Sequence, residues 1–351
     1  MEHADVVVIG GGQSGLATAH ALLRQGLKPV ILEASGRAAG SWPRYYDSLT
    51  LFSPARYSSL PGMPFGGDPD RHPHRDEVTD YLTTYAARLN TEIRTNARVE
   101  EVRGDEGGFK IFVQAGSELT ARVVVAASGT FGNPYWPALP GLDGFTGTVL
   151  HAAEYASPEP FSGQRIVVVG AGNSAVQIAA ELADIAQVTL ATRTPVRFAR
   201  QHILGRDLHF WLRRTGLDTA PLGRVLRTPP TQPVLDDGRY RAALNSDKPD
   251  QQTLFTEISD NKITWPDGTT EQVDTIILAT GYRPDLPYLD GLGALDQHGH
   301  PLHRDGASLT RPGLAYVGLE WLRSLSSNSL RGVGRDAERV ARRMANHLAR
   351  S

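Results

Sequence analysis

A chain of 351 residues that is 40% hydrophobic and 21% charged has the composition of an ordinary globular protein and the length of about two domains. Its formal net charge of -2 leaves no chain-wide basic field, so neither nucleic acid nor an anionic membrane is an expected partner. The absence of cysteine excludes a disulfide framework, a thiolate metal site and a CxxC redox relay.

The opening MEHADVVVIGGG has acids ahead of a short apolar run that glycines break at once, unlike a signal peptide. Nowhere do about 18 apolar residues run together as a membrane span requires, and a cytoplasmic location is expected. DVVVIG predicts a buried parallel strand, GGQSGLATAHALLRQG a helix with a glycine stop, and PVILE the next strand. Residues 36–75 break the pattern. Rich in Gly, Pro, Ser and Tyr, they predict a long irregular excursion, which inside a compact domain points to function or a lid. Spacings of three and four among Val78, Leu82, Tyr85 and Leu89 predict a helix over RDEVTDYLTTYAARL. Short strands then alternate over 92–126, ending in ARVVVAASG. The order strand, glycine turn, helix, strand recurs at GQRIVVVGAGNSAVQIAAELADIAQVTLATR. Beyond a polar, Pro-rich stretch at 228–252, a hairpin is predicted around WPDGT, followed by a buried strand in VDTIILATG. A last strand in GLAYVGL leads to a helix with one apolar stripe, Ala337, Val340, Ala341, Met344, Ala345 and Leu348.

The first turn places Gly10, Gly12 and Gly15 in the GxGxxG spacing, with Gln13 and Ser14 between them. Missing side chains let the backbone turn tightly and approach a pyrophosphate, while the helix N-terminus presents unpaired N–H groups. Glu33 follows Gly15 by eighteen residues, where a carboxylate can bind both ribose hydroxyls of an adenine dinucleotide. The second turn, Gly170, Gly172, Asn173, Ser174 and Ala175, is the Ala-ended variant, and the same count of eighteen arrives at Arg193 beside Thr194. A guanidinium there suits a 2'-phosphate. The spacing therefore predicts FAD at the first turn and NADPH at the second. Eight arginines lie between Arg193 and Arg227, read either as a funnel for the anionic end of NADPH or as a solvated helical face. His72 and His74 have no evident third metal ligand, and no metal is expected.

Phe145, Gly147, His151 and Tyr155 fit FxGxxxH followed by an aromatic residue; LATGYRP (278–284) and AASGTFGNPYWP (127–137) add two further motifs in order. Together they resemble the class B flavin-dependent monooxygenases over essentially the whole chain, most closely the short bacterial flavin-containing monooxygenases, including those of arsenic-resistance operons. The resemblance implies an α/β protein with two Rossmann-like dinucleotide-binding domains, the NADPH domain (156–272) inserted into an FAD domain made of 1–155 and 273–351. It implies that NADPH reduces the flavin, that O2 adds at C4a, and that the oxygen passes to a small-molecule S, N or As nucleophile. Two departures stand out. Phe52 takes the place where longer members often carry a flavin-facing Asn, and Tyr155 replaces the Trp usual in Baeyer-Villiger members, which favours heteroatom oxygenation over ketone oxygenation.

The FAD contacts expected, besides the first turn and Glu33, are Ser41, Trp42, Phe52, Val99 and Gly129, with Gly332 and Val333 opening the last helix toward the flavin. Thr280 and Gly281 join the NADPH set. No protein nucleophile is required. Phe52 and His151 are the catalytic candidates, His151 more as an interdomain joint than as a base. A flavin reductase without an oxygen adduct, or a sensor of both nucleotides, are the rival readings, and a homodimer is compatible with the sequence.

Overall fold

The computed structural model describes residues 2–226 and 231–350. Two sheets carry it. The first is built around β1 (Glu2–Ile9), whose apolar run serves both faces: Val6 and Val8 enter one hydrophobic cluster, Val7 and Ile9 the opposite one. β1 leads through α1 (Gln13–Leu23) to β2 (Pro29–Leu32); after the excursion come α2 (Arg75–Arg88), β3 (Glu92–Arg94), β4 (Val99–Asp105), β5 (Gly108–Val113) and β6 (Ser117–Ala126). The second sheet begins with β7 (Thr148–His151), β8 (Arg165–Val169), α3 (Asn173–Leu182) and β9 (Gln187–Thr192). An arm follows, made of β10 (Phe198–Arg200), β11 (His202–Ile203), β12 (Arg206–Asp207) and α4 (Leu208–Thr215). Beyond it lie β13 (Val234–Asp236), α5 (Arg239–Asn245), β14 (Asp250–Thr253), the meander β15 (Glu257–Ser259), β16 (Lys262–Thr264) and β17 (Thr270–Gln272), and β18 (Thr275–Leu278). The chain closes with β19 (His303–Arg304), β20 (Ala307–Ser308), β21 (Leu314–Tyr316) and α6 (Leu330–Leu348).

The parallel part of the first sheet runs β21-β6-β1-β2-β3, and the whole second sheet runs β7-β18-β8-β9-β14, also parallel. The glycine-turn strands β1 and β8 are thus the middle strands of two matching five-strand sets. In each, the helix-linked strand lies on one side and a later strand on the other, the switch point at which open α/β sheets bind ligands. β7 pairs in the second sheet although it precedes residue 155, and β18 pairs there although it follows residue 272.

The excursion is docked rather than loose. The Tyr81 hydroxyl donates to Met63 O at 2.6 Å and accepts from Leu60 N at 2.8 Å, and the Tyr85 hydroxyl donates to Pro61 O at 2.7 Å. His74 caps α2: its Nδ1 accepts from Asp76 N while the Glu77 carboxylate accepts from His74 N. His72 binds Leu51 O through Nδ1. Both histidines are structural, and no metal-binding cluster occurs among the described residues. α6 begins at Leu330, two residues before the start expected from the sequence, and packs its stripe of Val333, Ala337, Val340 and Ala341 against α1.

Candidate active site

The two turns are built alike because their first glycines meet the same obstacle. A Cβ on Gly10 (φ +108°) would stand 2.6 Å from Ala127 O, and one on Gly170 (φ +147°) would stand 2.4 Å from Ala279 O, each on the neighbouring strand end. They differ at the third position. A Cβ on Gly15 would lie 1.8 Å from Gly10 O, whereas Ala175 is accommodated with no exposure. α1 and α3 start immediately after Gly12 and Gly172, leaving their first-turn amides without intrahelical acceptors.

Both turns open into one cleft of ≈ 1470 Å³. That exceeds the span of roughly 300–1,000 Å³ usual for a single small-molecule site. Gly10, Gly12, Gln13, Ser14, Glu33, Ser41, Trp42, Phe52, Val99 and Gly129 line it on the first-sheet side. Gly170, Gly172, Asn173, Ser174, Arg193, Thr194, Thr280 and Gly281 line it from the second. Four expected residues do not reach it. Gly15 and Ala175 are packed beneath their turns, and Gly332 and Val333 lie inside α6, where a Cβ on Gly332 would meet Ser326 Oγ at 2.1 Å. Asn328, Ser329, Leu330 and Arg331 bring the N-terminal end of α6 to the cleft instead.

The side chains are held for binding. Glu33 is 5% exposed, its two oxygens accepting from Gly11 N at 2.6 Å and Ser35 N at 2.7 Å; each oxygen keeps a second lone pair for a hydroxyl. Gln13 accepts from Trp42 Nε1 at 2.9 Å and donates to Asn328 O at 3.2 Å, tying the excursion to the start of α6. Arg193, just past β9, is exposed to the cleft and forms no ion pair among the described residues. These features fit two dinucleotides: a buried carboxylate with lone pairs to spare at one turn and an uncommitted guanidinium at the other.

His151 has no exposed surface. Its Nδ1 accepts from Ala153 N at 3.1 Å, so its Nε2 carries the proton and donates to Gly281 O at 3.1 Å, an oxygen that also accepts from Tyr135 N at 2.9 Å. Burial holds its pKa below the ordinary histidine value, with the Gly281 bond and Glu154 opposing. Gly147 is required nearby because a Cβ there would stand 2.4 Å from Asp274 O. Tyr155 is 1% exposed in the core of the second sheet, donating to Glu181 at 3.0 Å. A row of rings, Trp42, Tyr45, Phe131, Tyr282 and His151, runs from the first sheet to the second with successive centroids 4.6–5.5 Å apart.

Of the arginine run, Arg193 and Arg197 line the cleft; Arg206 and Arg213 lie over the Phe210 and Tyr57 rings, Arg224 pairs with Asp305, and Arg227 lies outside the described residues. Sequence reasoning missed Arg44, whose guanidinium sits 4.9 Å from the Phe131 ring centroid at the cleft wall, and two cleft carboxyls. Burial raises the pKa of both, Asp285 against Arg98 and Arg44, and Glu320 against its bond from Gln232. A lone charged residue in an irregular segment carries no spacing signal that could have found them.

Residues 7–215 match the family described as pyridine nucleotide-disulphide oxidoreductase. A flavin monooxygenase from Stenotrophomonas maltophilia, a double variant with glutamine and histidine at 193 and 194 replaced by arginine and threonine, superposes with a TM-score of 0.88 at 32% identity, covering 99% of each chain. An uncharacterized CzcO-like oxidoreductase of Geobacillus kaustophilus is 32% identical over 99% of this chain and 100% of its own. The indole-3-pyruvate monooxygenase YUCCA1 of Oryza sativa subsp. japonica is 33% identical over 80% of this chain and 77% of its own.

Proposed function

The chain belongs to the pyridine nucleotide-disulphide oxidoreductase family and, within it, to the flavin-dependent monooxygenases; from that premise we propose that it uses NADPH, FAD and O2 to oxygenate a soft heteroatom, sulfur, nitrogen or arsenic, of a small molecule. The observation that carries this reading is that both glycine turns open into a single cleft, so two dinucleotides held at the turns would share one chamber. The disulphide chemistry in the family's description has no thiol to act through here, since the chain contains no cysteine. The Arg-Thr pair set into the Stenotrophomonas variant at 193 and 194 is the pair this chain carries naturally at those numbers.

In this reading the Gly10–Gly15 turn and Glu33 hold the FAD, and the Gly170–Ala175 turn, Arg193 and Thr194 hold the NADPH; the first sheet serves the FAD, and the second sheet, which takes in β7 and β18 beyond the expected 156–272, serves the NADPH. The bound flavin supplies the redox chemistry, taking hydride from the pyridine nucleotide and activating oxygen. The protein supplies position and dryness. Gln13 fixes Trp42 at the cleft wall, and Phe52, 36% exposed, presents an apolar ring where a polar side chain would draw in water. His151, neutral and fully buried at the end of β7, donates to Gly281 O just past its neighbour β18, the same oxygen that accepts from Tyr135 N of the segment crossing from the first sheet, and so braces that crossing rather than moving a proton.

The test is stoichiometric. Purified protein given NADPH, O2 and a thioether or tertiary amine should consume NADPH in step with oxygenated product. Steady NADPH oxidation with all oxygen recovered as H2O2 would point to a reductase or oxidase, and no flavin reduction by NADPH to a nucleotide sensor.

A further inference from the structure

Three successive carbonyls in the excursion face the same problem of finding donors, and two solve it locally. Leu51 O is met by the His72 ring at 2.9 Å, and Ser53 O accepts from the Ser58 hydroxyl at 3.0 Å, both within the excursion. Phe52 O alone is served from the other sheet's arm, by Gln201 Nε2 at 3.1 Å. Gln201 is 7% exposed and does not line the cleft, whereas Phe52 does. The same amide nitrogen donates to Asp207 Oδ2 at 2.5 Å, and Asp207 Oδ1 accepts from the backbone and ring nitrogens of His209 at 2.7 and 2.8 Å. The Gln201 backbone is fixed as well, N to Asp236 O at 3.0 Å and O from Leu208 N at 2.7 Å. Both protons of the amide therefore have acceptors, and its aim is set by a partly buried carboxylate that has no Arg or Lys partner among the described residues.

We propose that Gln201 is a positioning residue: from outside the cleft it pins the Phe52 backbone, and so sets how closely the Phe52 ring seals the cleft against water. This rests on the oxygenase reading, in which sealing decides whether oxygen reaches substrate or is lost as H2O2. Two variants remove the bond, Gln201→Leu and Gln201→Glu, the second keeping size but lacking a donor for Phe52 O; if either fails to fold, the other carries the test.

Hydrogen exchange on the cofactor-free protein is the first readout. Losing one such hydrogen bond should speed exchange at the amides of Leu51, Phe52 and Ser53 by about tenfold, with the sheets unchanged. In the loaded enzyme, H2O2 released per NADPH should rise severalfold. In a Phe52→Ala background the Gln201 substitutions should add nothing, because the ring they position is gone. Unchanged exchange at 51–53, or an equal rise in H2O2 with and without Phe52, overturns the proposal. A wild-type protein that never oxygenates substrate would instead refute the oxygenase reading, leaving the exchange result standing.

Discussion

Replacing Arg193 by Ala tests the assignment of the second turn. Arg193 has no ion pair among the described residues and stands in the open cleft, so its removal leaves no buried partner stranded and disturbs no packing. What is lost is what it gives a ligand. A charge-assisted hydrogen bond is worth about 1.5–3 kcal/mol, and a guanidinium can make two to a phosphate. Exposure to solvent and salt trims the sum toward about 2–3 kcal/mol, which weakens NADPH binding roughly 30- to 150-fold. NADH lacks the 2'-phosphate and should bind as before. Titration of both nucleotides against wild type and Arg193→Ala, at two ionic strengths, reads this directly, and the NADPH preference of the wild type should shrink as salt rises. Equal losses for NADPH and NADH, or none for either, would show that the guanidinium meets no 2'-phosphate.

His151→Ala removes two buried hydrogen bonds and opens a cavity, and should cost about 3 kcal/mol in denaturant unfolding; it should also raise H2O2 leakage while FAD stays bound, and loss of FAD would contradict the joint assignment. The same ring sets a pH trend. Because its pKa is lowered in the folded protein from an ordinary value of 6.5, the stability it contributes is complete above that pH and declines as pH falls below it, a slope His151→Ala should flatten. Gly15→Ala should abolish FAD retention and lower the melting temperature, since the added methyl would overlap Gly10 O; the mirror change Ala175→Gly should cost only about 1 kcal/mol. A Gly15→Ala protein purified with a full complement of flavin would refute that steric argument.

What could be read from the sequence is what lies close along the chain. The glycine turns, Glu33 and Arg193 announce themselves because strand, turn, helix and next strand are consecutive, and their chemistry is carried by counting. The sequence points to a start of α6 two residues late because Gly332 and Gly334 weaken helix propensity, yet burial of Leu330 and Val333 against α1 outweighs that loss. Gln201 and Phe52 are separated by 149 residues, and Arg44 and Asp285 come from irregular segments at opposite ends of the chain. No periodicity connects such positions; only the folded arrangement does.

The arm that carries Gln201 is fastened at its far end too. Asp218, with a 9% exposed side chain, pairs with Arg331 at 2.9 Å; Asp305, 1% exposed, pairs with Arg224; and Gly223 N donates to Arg323 O at 2.9 Å. Swinging the second sheet away as a rigid body would break the Arg331–Asp218 and Arg224–Asp305 pairs and the Gly223–Arg323 bond together, although Asp305 would keep Arg343. These ties favour one standing arrangement of the two sheets, with the cleft between the glycine turns held open to its mouth. The chamber is thus a preformed cavity, whose walls stand in place before anything enters it.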